Sequence, residues 1–445
     1  MQRLPLKTEI SSFFDFDAHV GAEAQFTGQI QNVRPLAWGG FLILRLPNYL
    51  LQVVVSRDAL GGLIDTLQPE MTVRVKGKLA AAKLKDKALH PGNVELQASA
   101  VEVVSAPSVH PLPVDTTKKE LAAAMHTIFD LRPLTLRHPR ERALFRIQSE
   151  IFHGFAESLT EAGFTRICSP KLVFTGAEGG ANVFALDYFG RPAYLAQSPQ
   201  FYKQMMVGVF GRVFEQAPVF RAEKHNTSRH VNEYISMDLE MQLEESWLEI
   251  IRTEAFFLRS ILSRLPSSCA NELSLLDVKL PKLDDLVLLE LSEVHEIVYR
   301  ESGTDCRGEP DLAPEEEALV CKHAAEAWGS EFVFVTHYPS SKRPFYAMDD
   351  PDRPELTLSF DCLFRGMEIT TGGQRMHRAA DYEAKMRSRG MDPAPFESYL
   401  QCFRYGMPPH GGLGFGLERF TARLCGVDNI KSCSLFPRDL DRLEP

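Results

Sequence analysis

The sequence predicts an α+β protein in two parts, a small five-stranded β-barrel followed by a larger mixed domain, and three observations carry that reading. From Ala24 to about Ser105, short runs alternate apolar and polar residues at the two-residue period of half-buried strands, separated by turn residues. After a proline-bearing segment, SAPSVHPLPVD, apolar residues recur at three- and four-residue steps, as in a helix packed along one side. The remaining chain mixes strand and helix patterns with no regular βαβ alternation, so a doubly wound parallel sheet is not expected.

In the first part the strands are AQFTGQIQNV, FLILRL, LLQVVVS, TVRVKGKL and NVELQASAVEVV, divided by Pro35, Gly39-Gly40, Pro47-Asn48 and Pro91-Gly92. A helix, RDALGGLIDTL, is expected between the third and fourth. Five short strands with a helix at that point suggest an OB barrel, a fold that often presents a face to single-stranded nucleic acid. A small barrel with some other task explains this segment equally well on its own. Residues 1–105 are therefore read as the barrel, 106–135 as a hinge and 136–445 as the mixed domain. That domain opens on a helix whose stripe, Leu144, Ile147, Ile151, Phe155 and Leu159, serves packing rather than chemistry. The stretch from about 254 to 342 lacks the polar constellations on either side of it and is read as an insertion that helps enclose a site.

At 445 residues the chain exceeds what one core usually supports, and 44% apolar with 24% charged residues is ordinary globular composition. Its eight cysteines are scattered without a C-x-x-C pair, so neither a zinc site nor a disulfide framework is suggested, and a reducing compartment fits best. The first twenty residues lack a basic stretch followed by an apolar one, and no run of about 18 apolar residues occurs. A cytoplasmic protein with no membrane segment is expected. A net charge of −10 argues against indiscriminate polyanion binding, so a nucleic-acid partner would have to meet a local basic patch.

Three segments concentrate chemistry. In the first, Val219-Phe-Arg221-Ala-Glu223, the polar loop 224–233 and Tyr234-Ile-Ser-Met-Asp238-Leu-Glu240 form an antiparallel hairpin. Alternation places Val219, Arg221 and Glu223 on one face, and Ser236, Asp238 and Glu240 opposite Met237, Leu239 and Met241. An arginine here can grip a phosphate and a carboxylate together and hold them in line. Standing alone, such a hairpin is better explained by solvated ion pairs. In the second, Gly411-Gly-Leu-Gly-Phe-Gly-Leu-Glu-Arg419 reads as a glycine-rich turn before a helix, with Arg419 entering from the first helical turn. It is neither a P-loop nor a dinucleotide fingerprint, since no G-K-[ST] and no suitably spaced acid follow. The third, Asp361 to Glu368 to Arg375, gathers carboxylates and an arginine around a Gly-Gly turn. Carboxylates with nucleotide phosphates are the usual way of holding Mg²⁺, and a buried ion pair steadying a strand end is the plain alternative.

Together these segments resemble the signature motifs of class II aminoacyl-tRNA synthetases, in particular their archaeal-like aspartate branch. Motif one is matched by the helix leading to Gly163-Phe-Thr-Arg-Ile-Cys-Ser-Pro170, motif two by FRAEKHNTSRHVNEYISMDLEM and motif three by GLGFGLERF. Branch markers are Gln197-Ser-Pro-Gln-Phe-Tyr-Lys-Gln204, Glu178-Gly-Gly180, EITTGGQR, YGMPPHGG and the closing FPRD. The match covers nearly the whole chain.

The resemblance implies a catalytic domain with a central antiparallel sheet flanked by helices, and a homodimer with Pro170 at its interface. It implies an aspartate–tRNA ligase with ATP and L-aspartate as substrates and Mg²⁺ as cofactor. Arg221 matches the arginine on the α-phosphate, Glu223 the glutamate near the adenine amino group, Tyr234 an aromatic stacking on adenine, and Arg419 the motif-three arginine. Arg229, His230 and Glu368 complete the ATP set. Asp361, Glu368 and Thr371 match the metal-binding positions, threonine standing where some relatives have serine. The β-carboxylate of aspartate wants two cations, matched by Lys203 and Arg375, while Asp238, Gln200 and Glu178 match acceptors for the ammonium, Glu178 in a mobile lid. No protein base is needed, because the attacking carboxylate is already ionised. In the barrel, Phe41 and Gln52 match anticodon contacts, a stacking ring and an amide that reads a base edge.

Pro91 falls where relatives that accept only tRNA(Asp) tend to carry lysine. Proline has no side-chain donor and no N–H, so the expectation is a non-discriminating enzyme that also charges tRNA(Asn), with a tRNA-dependent amidotransferase as the downstream partner. Four other readings stand beside this one: a tRNA(Asp)-only ligase, an asparagine–tRNA ligase, a synthetase-like paralogue making a free amide, and an inactive RNA-binding protein.

Overall fold

The computed structural model describes residues 14–86, 88–109, 111–174 and 182–444, and the chain divides into two compact units, 1–143 and 144–445. The first unit contains β1 (Glu23–Leu36), β2 (Gly39–Arg45), β3 (Leu50–Ser56), α1 (Arg57–Leu60), β4 (Thr72–Ala81) and β5 (Val94–Ser105), then α2 (Met125–Asp130) and α3 (Arg132–Thr135). Its five strands close in the order β1-β2-β3-β5-β4, with β1 pairing back to β4. Alternation is what closes it: Leu42 and Leu44 of β2, Leu51, Val53 and Val55 of β3 and Val73 and Val75 of β4 are all buried in one core. The helix expected over 57–67 is broken. Gly61 takes φ of 60°, ending α1, and a separate 3-10 turn covers Leu63–Thr66. A glycine pair supplies that left-handed step without the Cβ clash.

The division between units falls within α4 (Pro139–Glu161), later than the boundary at 135/136 read from the sequence. The second unit continues with β6 (Thr165–Arg166), β7 (Leu172–Val173), β8 (Ala185–Tyr188), β9 (Arg191–Leu195), α5 (Gln200–Phe210), β10 (Arg212–Phe220) and β11 (Glu233–Gln242). Then come α6 (Leu248–Ser268), α7 (Ala270–Leu276), β12 (Leu288–Glu290), α8 (Leu291–Ser302), α9 (Pro314–Trp328) and β13 (Phe332–Thr336). It closes with β14 (Ser359–Phe364), β15 (Met367–Arg375), α10 (Ala379–Ser388), α11 (Glu397–Arg404), β16 (His410–Gly416) and α12 (Leu417–Cys425).

Eight strands form one sheet in the order β12-β13-β14-β15-β16-β11-β10-β6, antiparallel through its centre and parallel only at its two end pairs. Strands β7, β9 and β8 make a second, small sheet. One face of the large sheet is apolar: Met237, Leu239, Leu413 and Phe415 pack with Ile147, Ile151 and Phe155 of α4 and with Ile250, Phe257 and Ile261 of α6. The opposite face carries the polar residues that alternate with these. The stretch 254–342 does not stand apart as an insert. It contains most of α6, whose buried side belongs to the main core, and it supplies β12 and β13 to the sheet. Those elements are apolar because they build the fold, which is why they carry so few polar constellations. No helix among the described residues is long and apolar enough to cross a membrane.

Candidate active site

The hairpin of β10 and β11 is antiparallel as expected, with Val219 opposite Tyr234, Ala217 opposite Ser236 and Glu215 opposite Asp238. Arg221 and Glu223 lie just past the end of β10, where the Arg221 N–H still donates to the Asn232 carbonyl at 2.9 Å. Next to β11 lies β16, and here the sequence reading needs correction. The glycine-rich run is no turn but the strand itself, and only Leu417 onwards is helical. The reason is close approach: a Cβ at Gly412 would sit 2.1 Å from the Leu239 carbonyl oxygen and 2.2 Å from Glu240 Oε2. The Gly-Gly turn expected at 372–373 is likewise internal to β15, beneath the Phe360 ring, and the real turn between β14 and β15 is Arg365-Gly366.

These strands floor a cavity of about 380 Å³. Gln200, Lys203, Arg221, Glu223, Arg229, His230, Tyr234, Asp238, Glu368, Thr371, Arg375 and Arg419 all line it, so twelve positions singled out across 220 residues of chain converge on one site. Asp361 lies beside it, buried, and does not line it. Glu178 falls outside the described residues.

At one end the charges are paired and dry. Lys203 Nζ, on the first turn of α5, sits 2.9 Å from Asp238 Oδ1 and from the Leu413 carbonyl, and 3.4 Å from Glu240 Oε2. Arg375 Nε donates to Glu240 Oε1 at 3.0 Å and its Nη2 to the Gly412 carbonyl at 3.0 Å, with the guanidinium 5.3 Å from the Tyr346 ring centre. Two cations thus face two buried carboxylates, the arrangement that keeps any one of these charges tolerable at low exposure. Gln200 Oε1 lies 3.5 Å from Arg375 Nη2.

The other end is wetter and richer in arginine. Arg419 Nη1, in the first turn of α12, donates to Glu368 Oε1 at 2.9 Å and to the Glu368 carbonyl at 3.0 Å, and Thr371 Oγ1 lies 3.2 Å from the same carboxylate oxygen. Arg229 is docked on Glu317 of α9, whose carboxylate also accepts the Glu368 N–H at 3.1 Å. Burial pushes Glu317 up to about 7 against the pull of Arg229. His230 pairs with Glu223 at 3.5 Å, and its pKa is held below the ordinary value by burial, with Arg419 adding to that effect. The Arg221 guanidinium is 5.9 Å from the centre of the Tyr234 ring. Glu418, pushed up to about 7 by burial, accepts the Ile235 N–H.

Beside Glu368, Asp361 is pushed up to about 6 by burial, with Arg343 pulling the other way from 2.8 Å. Its Oδ1 is buried without a hydrogen-bond partner among the described residues. A spare carboxylate oxygen next to Glu368 and the Thr371 hydroxyl is the donor set a Mg²⁺ takes when nucleotide phosphates complete its shell. No group of three or more His, Cys, Asp or Glu residues suited to holding a metal alone occurs among the described residues.

Sequence reading missed Glu317, Arg343, Tyr346 and Glu418 at this site. Arg343 and Tyr346 belong to SKRPFY, just past the stretch set aside as an insertion. Glu317 sits within a run of three glutamates, and nothing local marks which of them points inward.

In the barrel unit, Phe41 and Ile43 on β2 are cross-strand partners of Val54 and Gln52 on β3, all on the outer face, and Trp38 meets the Phe41 ring edge-on at 5.4 Å. Gln52 Nε2 donates to Glu95 at 2.8 Å. Pro91 is buried, next to His90, which stacks on Tyr49. Pro170 is exposed in the second unit.

Residues 124–440 match the family model described as tRNA synthetases class II (D, K and N). The chain is 43% identical over 432 residues to the aspartate–tRNA(Asp/Asn) ligase of Thermus thermophilus, covering 97% of this chain and 99% of that one. It is 36% identical over 450 residues to the aspartate–tRNA(Asp) ligase of Pyrococcus abyssi, covering 99% of this chain and all of that one (100%). Among solved structures, the asparaginyl-tRNA synthetase of Pyrococcus horikoshii complexed with asparaginyl-adenylate superposes with a TM-score of 0.87 at 28% identity, covering 96% of this chain and 97% of that one.

Proposed function

The chain belongs to the class II tRNA synthetases of the aspartate, lysine and asparagine group, and from that membership we propose that it is an aspartate–tRNA ligase. Its α-carboxylate oxygen attacking the α-phosphorus of ATP, aspartate forms an aspartyl-adenylate with release of pyrophosphate. The 3′-terminal ribose hydroxyl of tRNA then takes the aspartyl group and AMP leaves.

The observation that carries the choice of aspartate is the convergence of Lys203 and Arg375 at the dry end of the cavity. A side-chain carboxylate there accepts from both an ammonium and a guanidinium, whereas a carboxamide would set its own NH₂ against groups that only donate. Asp238 and Gln200, with Glu178, supply acceptors for the substrate ammonium. Arg221, which lines the same cavity near the Tyr234 ring, grips the α-phosphate and the attacking carboxylate at once, so rate comes from alignment and charge stabilisation. Tyr234 and Glu223 receive the adenine, and Arg229, His230 and Arg419 receive the phosphates. Glu368, Asp361 and Thr371 would hold Mg²⁺, which when bound neutralises phosphate charge and favours departure of pyrophosphate.

The readings that dispense with catalysis or with aspartate account less well for the same residues. An asparagine ligase would not set two cations around a neutral amide, and an inactive RNA-binding protein has no use for the arginines and carboxylates of the nucleotide end. In the barrel, Phe41 and Gln52 serve as anticodon contacts. A homodimer through the Pro170 segment belongs to this reading, supported by the exposure of Leu172 (49%) and Phe174 (69%) nearby. A cytoplasmic location does too, since none of the eight cysteines is joined in a disulfide.

The enzyme charges both tRNA(Asp) and tRNA(Asn), with an amidotransferase converting the second product. Two observations support this: Pro91 offers no donor to the third anticodon base, and the 43% identical relative is named for both tRNAs while the 36% identical one is named for tRNA(Asp). Aspartylation of the two transcripts at equal concentration tests it. Comparable charging is expected, and a gap of about a hundredfold, roughly 2.7 kcal/mol, would make the enzyme discriminating. Absence of aspartate-dependent exchange between pyrophosphate and ATP would remove the ligase reading altogether.

A further inference from the structure

Gln200 lines the amino-acid end, and the value of its amide there depends on which way it is turned. An amide turned with its carbonyl inward accepts a hydrogen bond from an ammonium, and one turned the other way repels it. Behind Gln200 stand four more buried polar side chains: Gln204 one turn further along α5, Tyr382 of α10, Tyr399 of α11 and His410 at the start of β16.

Their hydrogen bonds can be directed one after another from a single unambiguous end. His410 Nδ1 lies 2.8 Å from the Pro408 carbonyl oxygen, which only accepts, so Nδ1 carries the hydrogen. Burial holds the His410 pKa below its ordinary value, although the Glu240 carboxylate opposes this, so the ring is neutral and Nε2 is a bare acceptor. The Gln204 group 2.9 Å from Nε2 must therefore be its NH₂, which also donates to the Tyr382 hydroxyl at 3.0 Å. That turns Gln204 Oε1 the other way, where it accepts from the Tyr399 hydroxyl at 2.8 Å and from Gln200 Nε2 at 2.9 Å. With its NH₂ so engaged, Gln200 holds its carbonyl toward Arg375 and the cavity, at 3.5 Å from Nη2.

We propose that Gln204 and His410, braced by Tyr382 and Tyr399, are positioning residues that lock the Gln200 amide with its carbonyl facing the amino-acid end, so that the site selects a substrate bearing an α-ammonium. This rests on the aspartate–tRNA ligase reading and deepens it. None of the four needs to touch substrate: each fixes the next, and all are buried at 2% exposure or less. A relay of neutral hydrogen bonds can hold an amide this firmly because the alternative orientation sets two donors, or two acceptors, against each other in a dry interior.

The test is steady-state pyrophosphate exchange by the full-length protein, varying aspartate and ATP in turn. His410→Leu removes the acceptor that sets Gln204. A rise of about tenfold or more in KM for aspartate, with KM for ATP within about twofold, is expected from loss of one oriented hydrogen bond to a charged group. His410→Gln, whose carbonyl reaches about as far as Nε2, should restore KM for aspartate to within about threefold of wild type. Tyr399→Phe keeps the packing and loses one donor, so a smaller rise confined to aspartate is expected, and it keeps the proposal testable should His410→Leu not fold. Parallel changes in both KM values, or an unchanged KM for aspartate in His410→Leu or Tyr399→Phe, would overturn the relay while leaving the ligase reading intact. Absence of exchange in the wild-type protein would instead overturn the ligase reading itself.

Discussion

Lys203 Nζ lies 2.9 Å from Asp238 Oδ1, each side chain only 2% exposed, joining the first turn of α5 to the middle of β11 across 35 residues of sequence. The two charges are tolerable in that dry place because each neutralises the other, and substrate binding has to fit into that balance. Replacing Lys203 by methionine is expected to raise KM for aspartate by about a hundredfold or more while moving KM for ATP little, since the loss of one partner strands a buried carboxylate next to an incoming one. Exchange kinetics with each substrate varied read this directly. Equal losses for both substrates would take Lys203 out of the amino-acid site.

Arg221 lines the cavity near the Tyr234 ring, and the proposed function assigns it to the α-phosphate, where charge builds up as the α-phosphorus is attacked. Arg221→Ala should lower the exchange rate by about 10²–10³-fold, the usual result of removing one preorganised donor, with the circular dichroism spectrum and melting curve unchanged. Wild-type exchange in this variant would refute the placement of the reacting atoms.

Glu254 of α6 is fully buried, accepts the Thr370 hydroxyl at 2.6 Å, and is pushed by burial from its ordinary 4.5 to about 8. A carboxyl with a raised folded pKa keeps its proton in the native state after the unfolded chain has lost its own. Stability contributed by this group is therefore intact below about pH 4.5 and falls as pH rises toward 8, levelling off beyond. Glutamine keeps the acceptor for Thr370 and cannot ionise. Urea unfolding of Glu254→Gln against wild type should show the variant gaining on the order of a few kcal/mol relative to wild type between pH 5 and pH 8. A difference that does not change with pH would mean Glu254 titrates normally.

Gly412 has no room for a side chain, because a Cβ would meet the Leu239 carbonyl oxygen at 2.1 Å and Glu240 Oε2 at 2.2 Å. Gly412→Ala should cost at least about 1–3 kcal/mol in unfolding experiments, as over-packing usually does, and should also raise KM for aspartate by displacing Glu240 and with it Arg375. Unaltered stability and kinetics would show that β16 can move away from β11.

How much was legible in advance varies with the range of the interaction. The barrel strands, the α4 stripe and the hairpin of β10 and β11 were visible because alternation and the three-to-four-residue step are local consequences of strand and helix geometry. The two glycine-rich segments misled for the same reason: in a local reading glycine signals a turn, whereas here it makes room for Glu240 beside Gly412 and for the Phe360 ring beneath Gly372, neighbours set by sheet register. The helix over 57–67 failed at Gly61, where the periodic pattern continues but the backbone turns left-handed.

By itself the sequence determined the two-part α+β organisation and the order of its signature segments, because these are properties of single segments, and its resemblance to a known family pointed to twelve of the residues that meet at the cavity. Tertiary structure alone decided that Glu317 rather than its neighbouring glutamates holds Arg229, that Arg343 reaches Asp361, and that His410 sets the amide of Gln204 and so of Gln200. Those partners lie 88, 18 and 206 residues apart. No period or motif encodes such pairs. They exist only once the register of β15, β16 and β11 and the packing of α5, α9 and α11 around the sheet bring the side chains within a few ångströms and exclude the water that would otherwise satisfy them.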